Sequence, residues 1–546
     1  MQVTNFNTNH RESGVRRVLR QRALFPFACA AAIALTLGLS FTALDVGPTL
    51  TPDSVQYLSA AESYASGHGV QTTVTGLETA TPRQPLTSWP PLFPVTIAAL
   101  MQQGLTPLSA TRTLNTFYLV AIIIALSGIA RLAAGPGLAS IIVLAHAVMF
   151  YPVMTATFAW SEPMYTALSL CALYLVGRSH EPRSRALLLL FLAGVLAGFA
   201  TLSRYIGFVL IGSAFIGIVW INLHEKPSVL LRRALSFSVP AILISGGWLV
   251  RNKIVSGVLL GDNREYSGIS IDAAAGSLAR AIAEDFFAPT ANLPGMWGWL
   301  GIALGVTGAI LLITGSVSVM RHFRFPSMNR RSGFTLILGL YVTLYLTAVL
   351  WVVQSVRVDP INTRYLAPIY PIMLTLLVML FRASLFAERR SSEVPWRRPL
   401  LAASAVMLVV PQLIATTVFA ARIGSEERTL TAPYWTSTVG DEYAWRDDQG
   451  LELLQTIADK DRPVISNHWE LVHLVTGLPT KPMPNRETES LEPIFRFPGS
   501  FIALHLGTRP YLFNREDLDA LAYRHPQLKN HGVVGSWALY EVLESN

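Results

Sequence analysis

Two carboxylates and three arginines stand where a chain of this kind seldom places charge. Asp53 opens the amphipathic stretch Asp53-Ser54-Val55-Gln56-Tyr57, directly after the first membrane-length apolar run, and Glu162 precedes Pro163 at the head of another. Arg204, Arg251 and Arg364 flank further runs, and Arg204 and Arg364 are each followed by Tyr, at 205 and 365. A carboxylate can take a proton from a hydroxyl, and a guanidinium can hold phosphate oxygens through paired N–H donors. Ionisable groups beside membrane spans are costly unless paired, wet or used, so both signs gathered at one level mark a candidate site. Each residue has a plainer reading too. Asp53 and Glu162 suit the first turn of a helix, the arginines suit snorkelling anchors, and Trp89 with Pro90, Pro91 and Pro94 could simply stiffen a loop.

The elements that must position these residues are membrane helices. Of 546 residues, 51% are hydrophobic and only 14% charged, which lies outside the range of soluble globular domains. Apolar runs long enough to cross the hydrocarbon, roughly 20 residues each, recur across residues 24–420. They are expected near 24–44, 113–131, 137–155, 162–177, 186–201, 205–222, 234–250, 295–316, 334–353, 365–382 and 399–420, about eleven spans. The Pro-led segment 92–101 is short for a span and reads as a juxtamembrane or re-entrant helix.

The net charge of +8 sits in short loops between apolar runs, which membrane orientation explains without a nucleic-acid partner. Distributing those loops by the positive-inside rule puts the basic tail 1–23 in the cytoplasm, in a multi-pass cell membrane. The first run is too long for a cleaved signal and is read as a retained helix. The loop 45–112, Glu162, Arg204, Arg251 and Arg364 then face outward, as does the tail from 422. Residues 422–546 turn charged and alternate short apolar segments with turn residues, which reads as a small extracytoplasmic α/β domain with strands near 463–466, 501–506 and 533–542. Cys29 and Cys171 lie inside apolar runs and imply no disulfide. No His, Cys or carboxylate cluster has metal spacing, so neither an essential metal nor a cofactor is expected.

Taken in order, several segments resemble the GT-C glycosyltransferases that use polyprenyl-phosphate sugars, the group with the protein O-mannosyltransferases and the lipid A aminoarabinose transferases. They are Asp53-x-x-x-Tyr57 with Gly67-x-Gly69, Trp89-Pro-Pro-Leu-Phe-Pro94, Ser161-Glu162-Pro163, Leu202-Ser203-Arg204-Tyr205, Arg251-Asn252, and Thr363-Arg364-Tyr365 running on to Pro368 and Pro371. The resemblance covers about residues 24–420 and implies a GT-C bundle, 24–421, as the catalytic domain. In that family the acidic residue after the first span lies in the active site, a role that falls on Asp53. Members often carry a second acidic residue beside it; here Ser54 follows, which shifts weight to Asp53 with Glu162.

The resemblance implies transfer of a sugar from a polyprenyl-phosphate donor to a hydroxyl of a protein, lipid or glycan, with inversion. Asp53 is then the general base. Arg204 and Arg364 hold the lipid phosphate, with Arg251 or Arg83 sharing that work, and Glu162 orients sugar, acceptor or arginines. Tyr57, Trp89, Tyr205 and Tyr365 complete the expected substrate-binding set. Two alternatives use similar features: a polysaccharide polymerase or ligase taking a whole glycan from a diphosphate carrier, and a lipid flippase or transporter, which would show midplane charges and internal repeats.

Overall fold

The computed structural model describes residues 5–45, 48–79, 81, 83–180, 185–261, 266–287, 299, 303, 330–356, 358, 360–386, 397–423, 448–486, 489–506 and 512–544. The chain divides into two compact units. The first comprises Met1–Asp45, Thr113–Thr157 and Ser161–Gly424; the second comprises Val46–Arg112, Phe158–Trp160 and Ser425–Asn546.

The first unit is helical. Its helices are α1 (Asn5–Ala43), α4 (Pro107–Ala134), α5 (Pro136–Ala147), α6 (Phe150–Ala156), α7 (Glu162–Ser179), α8 (Ala186–Ser203), α9 (Gly207–Ile221), α10 (Pro227–Ser256), α11 (Ile271–Phe287), α12 (Arg330–Ser355), α13 (Thr363–Leu366), α14 (Tyr370–Phe386) and α15 (Arg397–Ile423). Among the described residues six helices are long and apolar enough to cross a membrane, or seven when α5 and α6, bent by 51°, count as one span. That is fewer than the eleven runs read from sequence. The expected span 205–222 is the 15-residue α9, 162–177 is α7, which carries Glu162 in its first turn and Arg178 in its last, and 295–316 falls, but for residues 299 and 303, outside the described residues. α8 is the hub, packed on α7, α9 and α10. Small residues let these backbones approach: a Cβ on Gly194 would lie 2.1 Å from the Phe237 carbonyl oxygen, and one on Gly198 2.8 Å from Ile244 Cβ.

The second unit carries α2 (Pro52–Ala65), α3 (Leu92–Met101), the two-residue strands β1 (Gln71–Thr72) and β2 (Gln84–Pro85), and a five-stranded mixed sheet. Its strands are β3 (Val464–Ser466), β4 (Thr480–Pro482), β5 (Phe501–His505), β6 (Leu528–Val534) and β7 (Trp537–Val542), in the order β4-β3-β5-β7-β6. β4-β3-β5 run parallel and β5-β7-β6 antiparallel. Alternate residues bury opposite faces. Phe501, Ala503, Trp537 and Leu539 join one core with Leu451 and Leu454 of α16 (Gln449–Ile457), and Leu471 and Val472 of α17 (Trp469–Thr476). Ile502, Leu504, Ala538 and Tyr540 join the other with Leu518 and Leu521 of α18 (Arg515–Arg524). The single strand expected at 533–542 is a β6–β7 hairpin, turned at Gly535, whose φ of 58° suits glycine. β4 had no sequence signal, being three residues that include Pro482.

The division into units also departs from the boundaries read off the sequence, which kept 45–112 with the membrane helices. The first loop groups with the C-terminal sheet because Val74 pairs in parallel with Thr480.

Replacing Gly194 by Leu would drive α8 away from α10. The expected cost is about 1–3 kcal/mol, read as a lower unfolding midpoint of the detergent-solubilised protein; an unshifted midpoint would show that the close approach is not made.

Candidate active site

Three helix ends deliver one charged side chain each to the same place in the first unit. Glu162 is in the first turn of α7, before Pro163, where a carboxylate meets the positive end of the helix dipole. α8 stops at Arg204, whose backbone is extended (φ −152°, ψ 132°) while its N–H still donates to the Ala200 carbonyl at 3.0 Å. The turn that follows is tight: a Cβ on Gly207 would lie 2.6 Å from the Thr201 backbone. Arg364 is in the first turn of α13, where the Asn362 side chain caps the helix by accepting the Arg364 backbone N–H at 3.0 Å.

These side chains form one ionic triad. Glu162 Oε1 accepts from Arg204 Nη1 at 2.7 Å and from Arg364 Nε. Arg204 Nη1 also lies 3.4 Å from Ser161 Oγ. The Glu162 side chain is 1% exposed, and those of Arg204 and Arg364 are 20% and 15% exposed. Glu162 Oε2 is buried with no hydrogen-bond partner among the described residues, leaving it able to accept from a ligand hydroxyl.

Tyrosines brace the triad. Tyr345 on α12 donates its hydroxyl to the Tyr365 carbonyl at 2.9 Å, fixing the turn after Arg364. Tyr165 on α7 and Tyr341 on α12 share a hydroxyl hydrogen bond of 3.0 Å. Next along the chain from Arg204, Tyr205 accepts from Trp248 Nε1 at 3.2 Å and from Asn252 Nδ2 at 2.9 Å. Arg251 stacks over the Trp248 ring at 4.5 Å and donates to Asn252 Oδ1 at 3.1 Å. Sequence reasoning named Arg251, Tyr205 and Asn252 but missed Trp248, Tyr165, Tyr341 and Tyr345. Trp248 carried a usable signal, lying three residues before Arg251 on one helix face. The tyrosines carried none, because Tyr near a membrane interface usually reads as a belt residue.

Asp53, Tyr57, Arg83 and Trp89 belong to the second unit. Thr51 caps α2, with Oγ1 accepting the Ser54 backbone N–H at 3.4 Å, and Pro52 occupies the first turn with Asp53. Trp160 Nε1 donates to the same Thr51 Oγ1 at 2.8 Å and anchors the cap. Tyr57 is fully buried, its ring 5.7 Å from that of Trp89 and 5.2 Å edge-on to Phe93, so these aromatics pack α2 on α3. Arg83 is exposed beside β2. Among the described residues no three His, Cys, Asp or Glu side chains converge as metal ligands would.

No family sequence model and no curated protein matches the chain. Solved structures do. ArnT from Cupriavidus metallidurans bound to undecaprenyl phosphate is similar over 94% of this chain and 98% of its own, at 14% identity and TM-score 0.61. The Archaeoglobus fulgidus oligosaccharyltransferase in complex with Zn and sulfate matches over 94% of this chain and 73% of its own, at 11% identity and TM-score 0.53. Arabinofuranosyltransferase AftD from Mycobacteria matches over 95% and 40%, at 14% identity and TM-score 0.57. The fold is the GT-C fold. At these identities the likeness describes the backbone, and the chemistry of this chain has to come from its own side chains.

Removing one partner of a buried ion pair leaves uncompensated charge and costs about 3–5 kcal/mol. Glu162→Ala, which removes the carboxylate that both guanidiniums share, is expected to lose that much in reversible unfolding of the detergent-solubilised protein. A loss below about 1 kcal/mol, the range of surface pairs, would mean the triad does not form.

Proposed function

We propose that this chain is a membrane glycosyltransferase that moves a sugar from a polyprenyl-phosphate donor to an acceptor hydroxyl at the outer face of the cell membrane, with inversion at the anomeric carbon. The observation that carries the reading is the arginine pair held by a buried carboxylate at the ends of three helices. A polyprenyl-phosphate sugar is a phosphodiester with one negative charge, and the two guanidiniums can offer N–H donors to its oxygens. As the bond between C1 and the phosphate oxygen breaks, the phosphate gains negative charge, and Arg204 and Arg364 stabilise that charge most when it is greatest. The leaving group is a stable anion and requires no strong acid.

Asp53 serves as the general base. The acceptor oxygen forms its bond to C1 as its proton passes to the Asp53 carboxylate, and the electron pair of the cleaved bond departs on the lipid phosphate. Because a hydroxyl is far less acidic than a carboxylic acid, the proton moves late, and positioning counts for more than basicity. Glu162 has a different task here: with Oε1 committed to both arginines, it aims their remaining N–H donors and leaves Oε2 for a sugar hydroxyl. No step requires energy coupling, since the phosphate ester supplies the driving force.

Transfer of a preassembled glycan from a diphosphate carrier is the second reading, since an oligosaccharyltransferase shares the fold.

In a reconstituted transfer assay, Asp53→Asn is expected to lower kcat by roughly a hundredfold to ten-thousandfold with little change in donor KM; an undiminished rate would remove Asp53 as base. Arg204→Gln with Arg364→Gln is expected to lower kcat/KM by at least about a hundredfold, and retained transfer would sink the phosphate clamp. A donor series should show turnover with the monophosphate, whereas turnover with the diphosphate alone would favour the glycan-transfer reading.

A further inference from the structure

β4 is an edge of the C-terminal sheet, and the first loop occupies it. Thr480 N–H donates to the Thr73 carbonyl at 3.2 Å, and Thr75 N–H donates to the Thr480 carbonyl at 3.1 Å. One residue on, Lys481 is completely buried. Its Nζ donates to Thr75 Oγ1 at 2.6 Å, to the Gly76 carbonyl at 2.8 Å and to the Thr79 carbonyl at 2.7 Å. All three ammonium donors are thus used, and every acceptor is on the loop. The Phe497 ring lies 4.7 Å from Nζ. Burying an ammonium costs several kcal/mol, and a methionine would fill the site without that cost, so the lysine is there for what it grips. Burial pushes the group down to about 8, opposed by Glu78, which leaves it mostly protonated at neutral pH.

The gripped loop in turn holds α2. Thr73 N–H donates to Ser59 Oγ at 2.9 Å, the two side-chain oxygens lie 2.8 Å apart, and Thr72 Oγ1 donates to Gln56 Oε1 at 3.1 Å. Gln56 and Ser59 follow Asp53 by three and six residues on one helix, about 4.5 and 9 Å along its axis. Further along α2, Glu62 faces His473 of α17 at 4.0 Å. Hydrogen bonds thus tie Lys481 to Thr75 and, two residues back along the same loop, Thr73 to Ser59 of α2, the helix whose first turn holds Asp53.

We infer that Lys481 is a positioning residue for transfer: it clamps residues 73–79 against β4 and so sets where α2, and with it Asp53, stands. This rests on the reading of Asp53 as the base.

The test compares Lys481→Met and Lys481→Arg in the full-length protein at pH 7, alone and combined with Asp53→Asn. Amide exchange across residues 73–76 and the kcat and donor KM of transfer are measured. Lys481→Met is expected to speed exchange at Thr75 at least about tenfold and to lower kcat about tenfold to a hundredfold, with donor KM within about twofold. Lys481→Arg should recover part of both, and adding Lys481→Met to Asp53→Asn should cost little more, as for residues acting through one group. Unchanged exchange, unchanged kcat, or a full multiplicative loss in the double variant each overturns the inference. Full activity of Asp53→Asn alone would instead remove the base and the positioning role together, while the exchange result still decides whether Lys481 clamps the loop. Should Lys481→Met not accumulate, Thr75→Val, which deletes one acceptor, carries the same measurements.

Discussion

Glu162 is a carboxylate that has been taken out of water, and the first unit is arranged around meeting that cost. A buried charge is tolerable only with partners in good geometry, and here both partners come from other helices, Arg364 lying 202 residues away in sequence. For one oxygen to reach both guanidiniums, α7 must start, α8 must stop and α13 must start at one level. Pro163, the extended backbone of Arg204 with the close turn at Gly207, and the Asn362 cap are the local devices that end those helices there. The same arrangement underlies the proposed chemistry. A carboxylate hidden behind two partly exposed arginines acts less as a reactive group than as the part that fixes their direction, and fixed donors stabilise developing charge better than mobile ones.

The second unit solves another problem, that of holding a short helix steady without a large core of its own. α2 has 14 residues, near the length at which an isolated helix is marginal in water. It is pinned at its start by the Thr51 cap with Trp160, along its side by Tyr57 against Trp89 and Phe93, and by the threonine ladder from the loop. These supports suit a proposed base better than an exposed loop would, because proton transfer at a poorly acidic hydroxyl depends on placement within fractions of an ångström. The sheet beyond the ladder is covered on both faces, which makes it a firm platform for the loop strand added at its edge.

Much of this was legible in the residues. Apolar runs locate the long helices because a span must satisfy its backbone internally, and the helical Leu92–Met101 has the short length its composition implies. Thr51-Pro52-Asp53 is a helix start written in sequence, since cap, fixed φ and dipole partner are all local effects. The strands at 464–466 and 501–505 follow from short buried runs. Bent α5 and α6, the three-residue β4 and the hairpin at Gly535 were not readable, because in each the neighbours rather than the segment choose the conformation.

The sequence by itself therefore determined which residues carry charge at helix ends, Asp53, Glu162, Arg204 and Arg364 among them, because composition and capping act within a few residues; Arg251, expected at the end of a span, lies inside α10, which runs on to Ser256. Only the tertiary structure decided who meets whom: Glu162 with both arginines, Tyr205 with Trp248 and Asn252, and Lys481 with Thr75, which is 406 residues away. Those pairings depend on how closely whole helices and strands approach. That distance is set by packing at residues such as Gly194 and Gly207, whose close contacts are with other segments of the chain.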